Sequence, residues 1–268
     1  MPTTPDPAPF ERIDGDASRA MLLICDHARN VLPAACGTLG LPPAELERHI
    51  AYDIGAEGVT RAIAARLGIP AVLCGFSRLL IDPNRGEDDP TLIRQLYDRT
   101  VIPGNYPLRE EERQTRLERW YRPYHEAIAA ELARIEAASG SAAFIVSMHS
   151  FTPCFQGGTP RPWHVALLWD VDDRAKVPLA DLIGQDPNLV IGDNEPYDGA
   201  LAGDTLSRHG TAAGRAHILI EIRQDLIESR EGQRAWGERL AAALDAVNRR
   251  PDMHVRKFYG SRTVPRQP

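Results

Sequence analysis

Met21-Leu22-Leu23-Ile24-Cys25, followed at once by Asp26-His27, sets the reading of this chain. Five apolar residues without alternation describe a strand buried on both faces, because a strand with one wet face alternates apolar and polar side chains. Four more runs share that character: Ala71–Phe76, Ala143–Met148, Val165–Trp169 and His217–Ile222. Helical stretches separate them, at Pro43–His49, Gly55–Leu67, Arg109–Ala138 and Arg230–Asn248. In the last, Trp236, Leu240, Leu244 and Val247 recur at helical spacing with charges between them. The dense Arg and Glu spacing over Arg109–Arg134 reads as a solvated helix face laced with ion pairs. Buried strands alternating with helices predict an α/β fold: three layers, with a central, mostly parallel or mixed sheet covered by helices on both faces.

Composition narrows the function classes. The 268 residues are 43% hydrophobic and 25% charged, ordinary for a globular protein. With 31 basic and 37 acidic residues the net charge is −6, so the chain lacks the basic footprint of a nucleic-acid binder. No apolar run reaches the roughly 18 residues of a membrane span. Met1–Phe10 carries four prolines and no positive charge, which argues against a signal peptide and for a disordered arm over residues 1–17. Residues 18–268 show no repeat, linker or composition shift and are expected to form one domain. Cys25, Cys36, Cys74 and Cys154 show no paired spacing, and Cys25 and Cys74 sit in apolar runs. The expectation is a reduced, soluble, cytoplasmic protein, with an oligomer neither indicated nor excluded.

Chemistry collects at the strand ends, where open α/β sheets gather ligands. Asp26-His27 ends the first strand, Met148-His149-Ser150 the third, and the last carries Glu221 and Arg223 in Ile-Leu-Ile-Glu-Ile-Arg. A carboxylate within sheet interior demands a partner or a duty. Two histidines and one carboxylate with an open position are the usual composition of a catalytic zinc site. Asp53 precedes a helix, where its structural role would be an N-cap. Asn30 stands at the third position after His27, where H-x-x-E zinc sites carry Glu; an amide is a poor ligand and is expected to hold backbone or substrate. Asp26 could orient an imidazole. Ser77-Arg78-Leu79-Leu80-Ile81-Asp82-Pro83-Asn84-Arg85 puts two arginines and an asparagine in a loop after a strand. Arginine forks suit a substrate carboxylate; surface pairing with Glu87, Asp88 or Asp89 is the competing structural role.

Six segments, in order, resemble the N-formylglutamate amidohydrolase family: Asp26-His27-Ala28-Arg29-Asn30; His49 through Ala56; Ser77-Arg78-Leu79 with Asp82-Pro83-Asn84-Arg85; Met148 through Pro153; Asn194-Glu195-Pro196-Tyr197; and Glu221 through Ile227. They span roughly residues 20 to 248. The resemblance implies a phosphorylase/hydrolase-like α/β fold, similar to zinc carboxypeptidases and aspartoacylase, with a metal-dependent amide hydrolase site. Zinc-dependent cell-wall amidases use a His after the first strand, an acid before the first long helix and a later His. By that similarity His27, Asp53 and His149 would hold one Zn²⁺, and Glu221 would be the glutamate of the last strand. Asn84-Arg85 resembles the pair with which carboxypeptidase relatives grip a substrate carboxylate.

The expected function is therefore zinc-dependent hydrolysis of a small N-acyl amino acid, plausibly N-formyl-L-glutamate to formate and glutamate. Another N-acyl amino acid or small peptide amide, or metal-free binding of acidic metabolites, are the alternatives. Glu221 is expected to act as general base, with Arg223 steadying developing oxyanion charge or pairing with Glu221. Arg78, Asn84, Arg85 and Asn30 are the expected substrate contacts.

Overall fold

The computed structural model describes residues 6–263. Among the described residues there are nine strands: β1 (Phe10–Ile13), β2 (Met21–Cys25), β3 (Ala71–Cys74), β4 (Leu96–Tyr97), β5 (Thr100–Val101), β6 (Phe144–Phe151), β7 (Val165–Leu168), β8 (Ile191–Asp193) and β9 (His217–Arg223). The α-helices are α1 (Pro43–Leu46), α2 (Ala56–Leu67), α3 (Glu110–Arg116), α4 (Arg122–Ser139), α5 (Lys176–Ile183), α6 (Thr205–His209) and α7 (Arg230–Asn248). Seven strands make one mixed sheet in the order β1-β3-β2-β6-β9-β7-β8, and β4 and β5 form a separate hairpin. β3, β2, β6 and β9 run parallel, so their carboxyl ends share one edge. β1 is antiparallel to β3, and β7 to β9.

Side-chain parity splits the core. Met21, Leu23, Phe144, Val146, Met148, Ile218, Ile220 and Ile222 face α2, α5 and α7, meeting Val59, Ile63, Leu179, Leu240 and Leu244. Leu22, Ile24, Ile145 and Leu219 face the other way, onto Tyr124, Ile128, Leu132 and Ile135 of α4. Successive strand residues point to opposite faces, so a strand apolar at every position can only sit between two helical layers. Each fully buried aliphatic side chain contributes about 1.5–3 kcal/mol. The polar residues Asp26, Ser147, His149 and Glu221 fall on the α4 side, near the carboxyl edge.

Three departures from the sequence reading matter. Phe10–Ile13, assigned to a disordered arm on the prolines before it, carries no proline itself and pairs with Ala71–Cys74 as an edge strand. Residues 1–5 of that expected arm lie outside the described residues. The long helix over Arg109–Ala138 is interrupted by a wide π turn at Leu117–Tyr121, which turns Leu117, Trp120 and Tyr121 into the core. Its ion pairs form as expected, yet Arg116 is buried, donating to the Leu80 carbonyl and Asn105 Oδ1 at 2.7 Å each. No helix among the described residues is long and apolar enough to cross a membrane.

Candidate functional site

At the shared carboxyl edge the loops enclose a cavity of about 440 Å³, within the range of small-molecule sites. His27, Asp53, His149, Glu221, Arg85 and Arg94 all line it.

Backbone geometry brings the first three together. β2 ends at Cys25 and delivers Asp26 and His27 past the sheet edge. The Asp53 N–H donates to the His27 carbonyl at 2.9 Å, tying the turn before α2 to that strand end. Gly55, at φ +81°, completes the turn, and a Cβ there would lie 2.2 Å from the Ile227 carbonyl oxygen. Gly55, not Asp53, occupies the N-cap, which leaves the Asp53 carboxylate free of that structural role. His149 comes from the last turns of β6, in register with Glu221 of β9, so the two sit side by side on one face.

Asp53 Oδ2 lies 2.8 Å from His149 Nδ1 and 3.3 Å from His27 Nδ1, and it accepts from the Ser150 N–H at 3.2 Å. The two imidazole rings meet edge to face at 4.9 Å. The far nitrogen of each ring is held by another carboxylate: His27 Nε2 by Asp82 Oδ1 at 2.7 Å, His149 Nε2 by Asp26 Oδ2 at 3.1 Å. Asp26 in turn accepts from Tyr124 and Ser147 hydroxyls at 3.0 Å each and from Thr205 at 2.7 Å. All these groups are buried.

The charges answer each other. Burial alone would raise Asp26, Asp53 and Asp82, but their partners hold all three below the usual carboxylate range, Asp26 at about 2. For Asp26 and Asp53 the partners are chiefly the two histidines, and for Asp82 chiefly Arg78. Burial would push His149 down, yet Asp26 and Asp53 lift it to about 10. Each ring thus turns Nδ1 to the shared Asp53 carboxylate and Nε2 to a second carboxylate, with the Ser147 hydroxyl also 3.0 Å from His149 Nε2. Two arrangements suit this set: hydrogen bonds between Nδ1 and Asp53, or Nδ1 lone pairs turned, with Asp53, toward a cation.

The second arrangement is the donor set of a divalent metal, with each ligating imidazole backed by a carboxylate. His27, Asp53 and His149 offer ligand atoms within 4.8 Å of one another and could hold one ion. The residues present fit such a group.

Glu221 differs from the other carboxylates. Its Oε2 is buried with no hydrogen-bond partner, and burial pushes its pKa up to about 7. The expected pairing with Arg223 does not form. Arg223 turns to Asp225 at 2.8 Å and to the carbonyls of Arg161 and Trp163 at 3.2 Å each, outside the cavity lining. The guanidinium charges that act on Glu221 are those of Arg78 and Arg161, the latter held 4.2 Å over the Phe155 ring.

The remaining candidates divide. Asn30 donates to the Leu46 carbonyl at 2.8 Å and to Glu47 at 3.2 Å, a backbone role away from the cavity. Arg78 lines the cavity, but its guanidinium is committed to Asp82 at 2.9 Å and Asp53 at 3.3 Å, so it fixes acids rather than substrate. Arg85 escapes the surface pairing with Glu87, Asp88 or Asp89: it donates to Thr91 Oγ1 at 3.1 Å and the Asn84 carbonyl at 2.7 Å. Its own carbonyl accepts from the Tyr121 hydroxyl at 2.6 Å, so the π turn braces this loop. Asn84 also lines the cavity, its Oδ1 accepting from the Thr205 N–H at 3.2 Å.

Asp82 was the residue the sequence reading passed over. Leu79-Leu80-Ile81-Asp82 carries the signal that marked Glu221, a carboxylate closing an apolar run. Asp26, expected to orient an imidazole, does so for His149 rather than for its chain neighbour His27.

The sequence profile of the N-formylglutamate amidohydrolase family matches residues 19–228. An N-formylglutamate deformylase from Pseudomonas aeruginosa is 32% identical over 170 residues, 58% of this chain and 54% of that protein. The chain thus spans about half the length of the curated relatives it matches. A solved gene product from Agrobacterium tumefaciens is similar at TM-score 0.82 and 30% identity, covering 91% of this chain and 95% of that one. An N-formylglutamate amidohydrolase from Ralstonia eutropha shares the fold at TM-score 0.68 and 22% identity, over 90% of this chain and 97% of its own.

Proposed function

The chain belongs to the N-formylglutamate amidohydrolase family, and from that premise we propose that it hydrolyses the amide bond of a small N-acyl amino acid, N-formyl-L-glutamate, to formate and glutamate. The observation that carries this reading is the meeting, in one cavity, of the His27–Asp53–His149 donor set with the unpartnered Glu221 carboxylate.

His27 and His149, through Nδ1, and Asp53 would hold one zinc ion per chain. When bound, it would supply Lewis acidity, polarising the amide carbonyl and lowering the pKa of a water toward about 7. Asp82 and Asp26 keep the protons of the imidazoles on Nε2, so that the Nδ1 lone pairs stay available. Arg85, with Asn84, takes a substrate carboxylate and fixes the amide against the site. Glu221 accepts a proton from the attacking water as the new C–O bond forms at the formyl carbon. It returns that proton to the nitrogen as the C–N bond breaks, releasing the amine. A carboxyl group whose pKa lies near the working pH can serve in both directions.

The reaction is assigned to one unit that takes in the whole seven-stranded sheet, with β1 as its edge strand. The four cysteines are free thiols, which supports a reducing, cytoplasmic location. Purification without chelator, metal analysis, and a turnover screen over N-formyl, N-acetyl and N-succinyl amino acids test the proposal. One zinc per chain and fastest turnover of N-formyl-L-glutamate are expected. A zinc-loaded protein that hydrolyses none of them refutes the activity.

A further inference from the structure

Three arginines line the cavity, Arg78, Arg85 and Arg94. Arg78 is neutralised by two aspartates. Arg94 is not: among the described residues it pairs with no carboxylate, and its Nε is buried without a hydrogen-bond partner. The guanidinium carbon lies 4.5 Å from the centre of the Tyr97 ring. Arg94 is half-buried, and partial burial without a carboxylate partner, with Arg78 as a like-charged neighbour, pushes this guanidinium's pKa down.

The backbone beneath Arg94 is nonetheless firmly built. Fully buried Asn105 donates to the Arg94 carbonyl at 2.7 Å and to the Leu79 carbonyl at 2.9 Å. Asn105 Oδ1 accepts from buried Arg116 at 2.7 Å. A long, uncompensated side chain on so fixed a support is pre-organised to meet an anion that arrives with the ligand. Arg85 faces the same cavity, three residues after the Asp82 that holds His27. The α-carboxylate of an N-acyl amino acid lies one carbon from the reacting nitrogen, so Arg85 suits it. A second carboxylate, several bonds away, needs a second cation.

We propose that Arg94, backed by Tyr97, forms a second anion subsite that receives the side-chain carboxylate of an acidic N-acyl amino acid. The assignment rests on the function proposed above and supplies the feature that would separate acidic from neutral substrates.

The test is equilibrium binding of N-formyl-L-glutamate and N-formyl-L-glutamine, which differ in that carboxylate, measured by calorimetry. Metal-loaded Glu221→Gln protein, in which hydrolysis is expected to be slowed, serves as the parent. The parent is expected to bind the glutamate form about 10- to 100-fold more tightly, the worth of a charge-assisted hydrogen bond. Arg94→Gln should bring the ratio of the two dissociation constants near unity, and Arg94→Lys should leave an intermediate ratio. No preference in the parent, no binding of either compound, or a preference that survives Arg94→Gln overturns the subsite. So does an equal weakening of both ligands, the mark of a purely structural Arg94–Tyr97 stack. Hydrolysis by the wild-type enzyme is read separately: its absence removes the proposed activity while the binding ratios still decide the subsite.

Discussion

Asp26→Asn should weaken metal binding while leaving all three proposed ligands in place. The substitution changes almost no volume but replaces one carboxylate oxygen of a fully buried group with an amide NH₂. At present Oδ2 accepts from His149 Nε2 at 3.1 Å and from Ser147 at 3.0 Å, while Oδ1 accepts from Tyr124 and Thr205. Hydroxyls can rotate to suit an amide; the imidazole cannot. If the NH₂ faces His149, two donors oppose each other unless the ring moves its proton to Nδ1, the atom needed for the metal. If the amide oxygen faces His149 instead, a charged acceptor has become a neutral one. The difference between charged and neutral hydrogen bonds, about 1–2 kcal/mol, sets the lower bound. Either way zinc affinity should fall about 10- to 100-fold, as is typical for loss of a group that backs a ligating histidine. Competition against a chromophoric chelator reads this directly, with Tyr124→Phe as a control that removes one neighbour of Asp26 without touching the tautomer. A folded Asp26→Asn protein with unchanged zinc affinity would refute the assignment of His149 Nδ1 as a ligand.

Three further outcomes are expected. Glu221→Gln should lower kcat by about 10²–10⁴, the worth of proton transfer, with zinc retained; near-normal kcat in the loaded protein would rule out Glu221 as the base. Arg85→Lys keeps the charge and loses the fork, so KM for N-formyl-L-glutamate should rise, with kcat falling too if the clamp aligns the amide; parental kinetics would free Arg85 of that role. Stability should fall below neutral pH through the His125–His209 pair. His125 Nε2–H donates to the Pro83 carbonyl at 3.0 Å and its Nδ1 accepts from His209 at 3.1 Å, while burial drives their pKa values to about 3 and about 4. Both stay neutral in the fold but protonate near 6.5 when unfolded, so the unfolded chain binds more protons and gains about 2 kcal/mol per imidazole between pH 7 and 5. Denaturant titrations at the two pH values should show this loss, and His209→Gln should shrink it. An identical loss in the variant would place the acid sensitivity elsewhere.

The layered architecture was legible because β2 is apolar at every position and β6 and β9 carry unbroken apolar runs, Phe144–Val146 and Ile218–Ile220, a pattern that a doubly covered sheet accepts. β1 was not, since the prolines at positions 7 and 9 mask a short strand that begins only at Phe10, after them. The convergence of His27, Asp53 and His149 followed from strand ends and motif order. The roles of the arginines did not, because a guanidinium on a long stem chooses among partners that only tertiary structure supplies. Arg78 met two aspartates, Arg223 met Asp225 and backbone carbonyls, and Arg94, inconspicuous in sequence, was left facing the cavity. Asn30 likewise had two plausible destinations in sequence and found the Leu46 carbonyl.

The pairing of His149 with Glu221 across β6 and β9 makes sheet alignment and function inseparable. A strand that slipped by one residue relative to its neighbour would swing its polar side chain into the apolar layer of α2 and α7, while a compact, helix-rich globule could still form around it. Secondary-structure content would hardly register such a molecule. Catalytic output would, because only correctly aligned chains hold both groups on the same side. In refolding experiments, regained activity should therefore count native molecules, while circular dichroism counts native and misaligned ones together, and the gap between the two yields measures how often the central strands settle out of step.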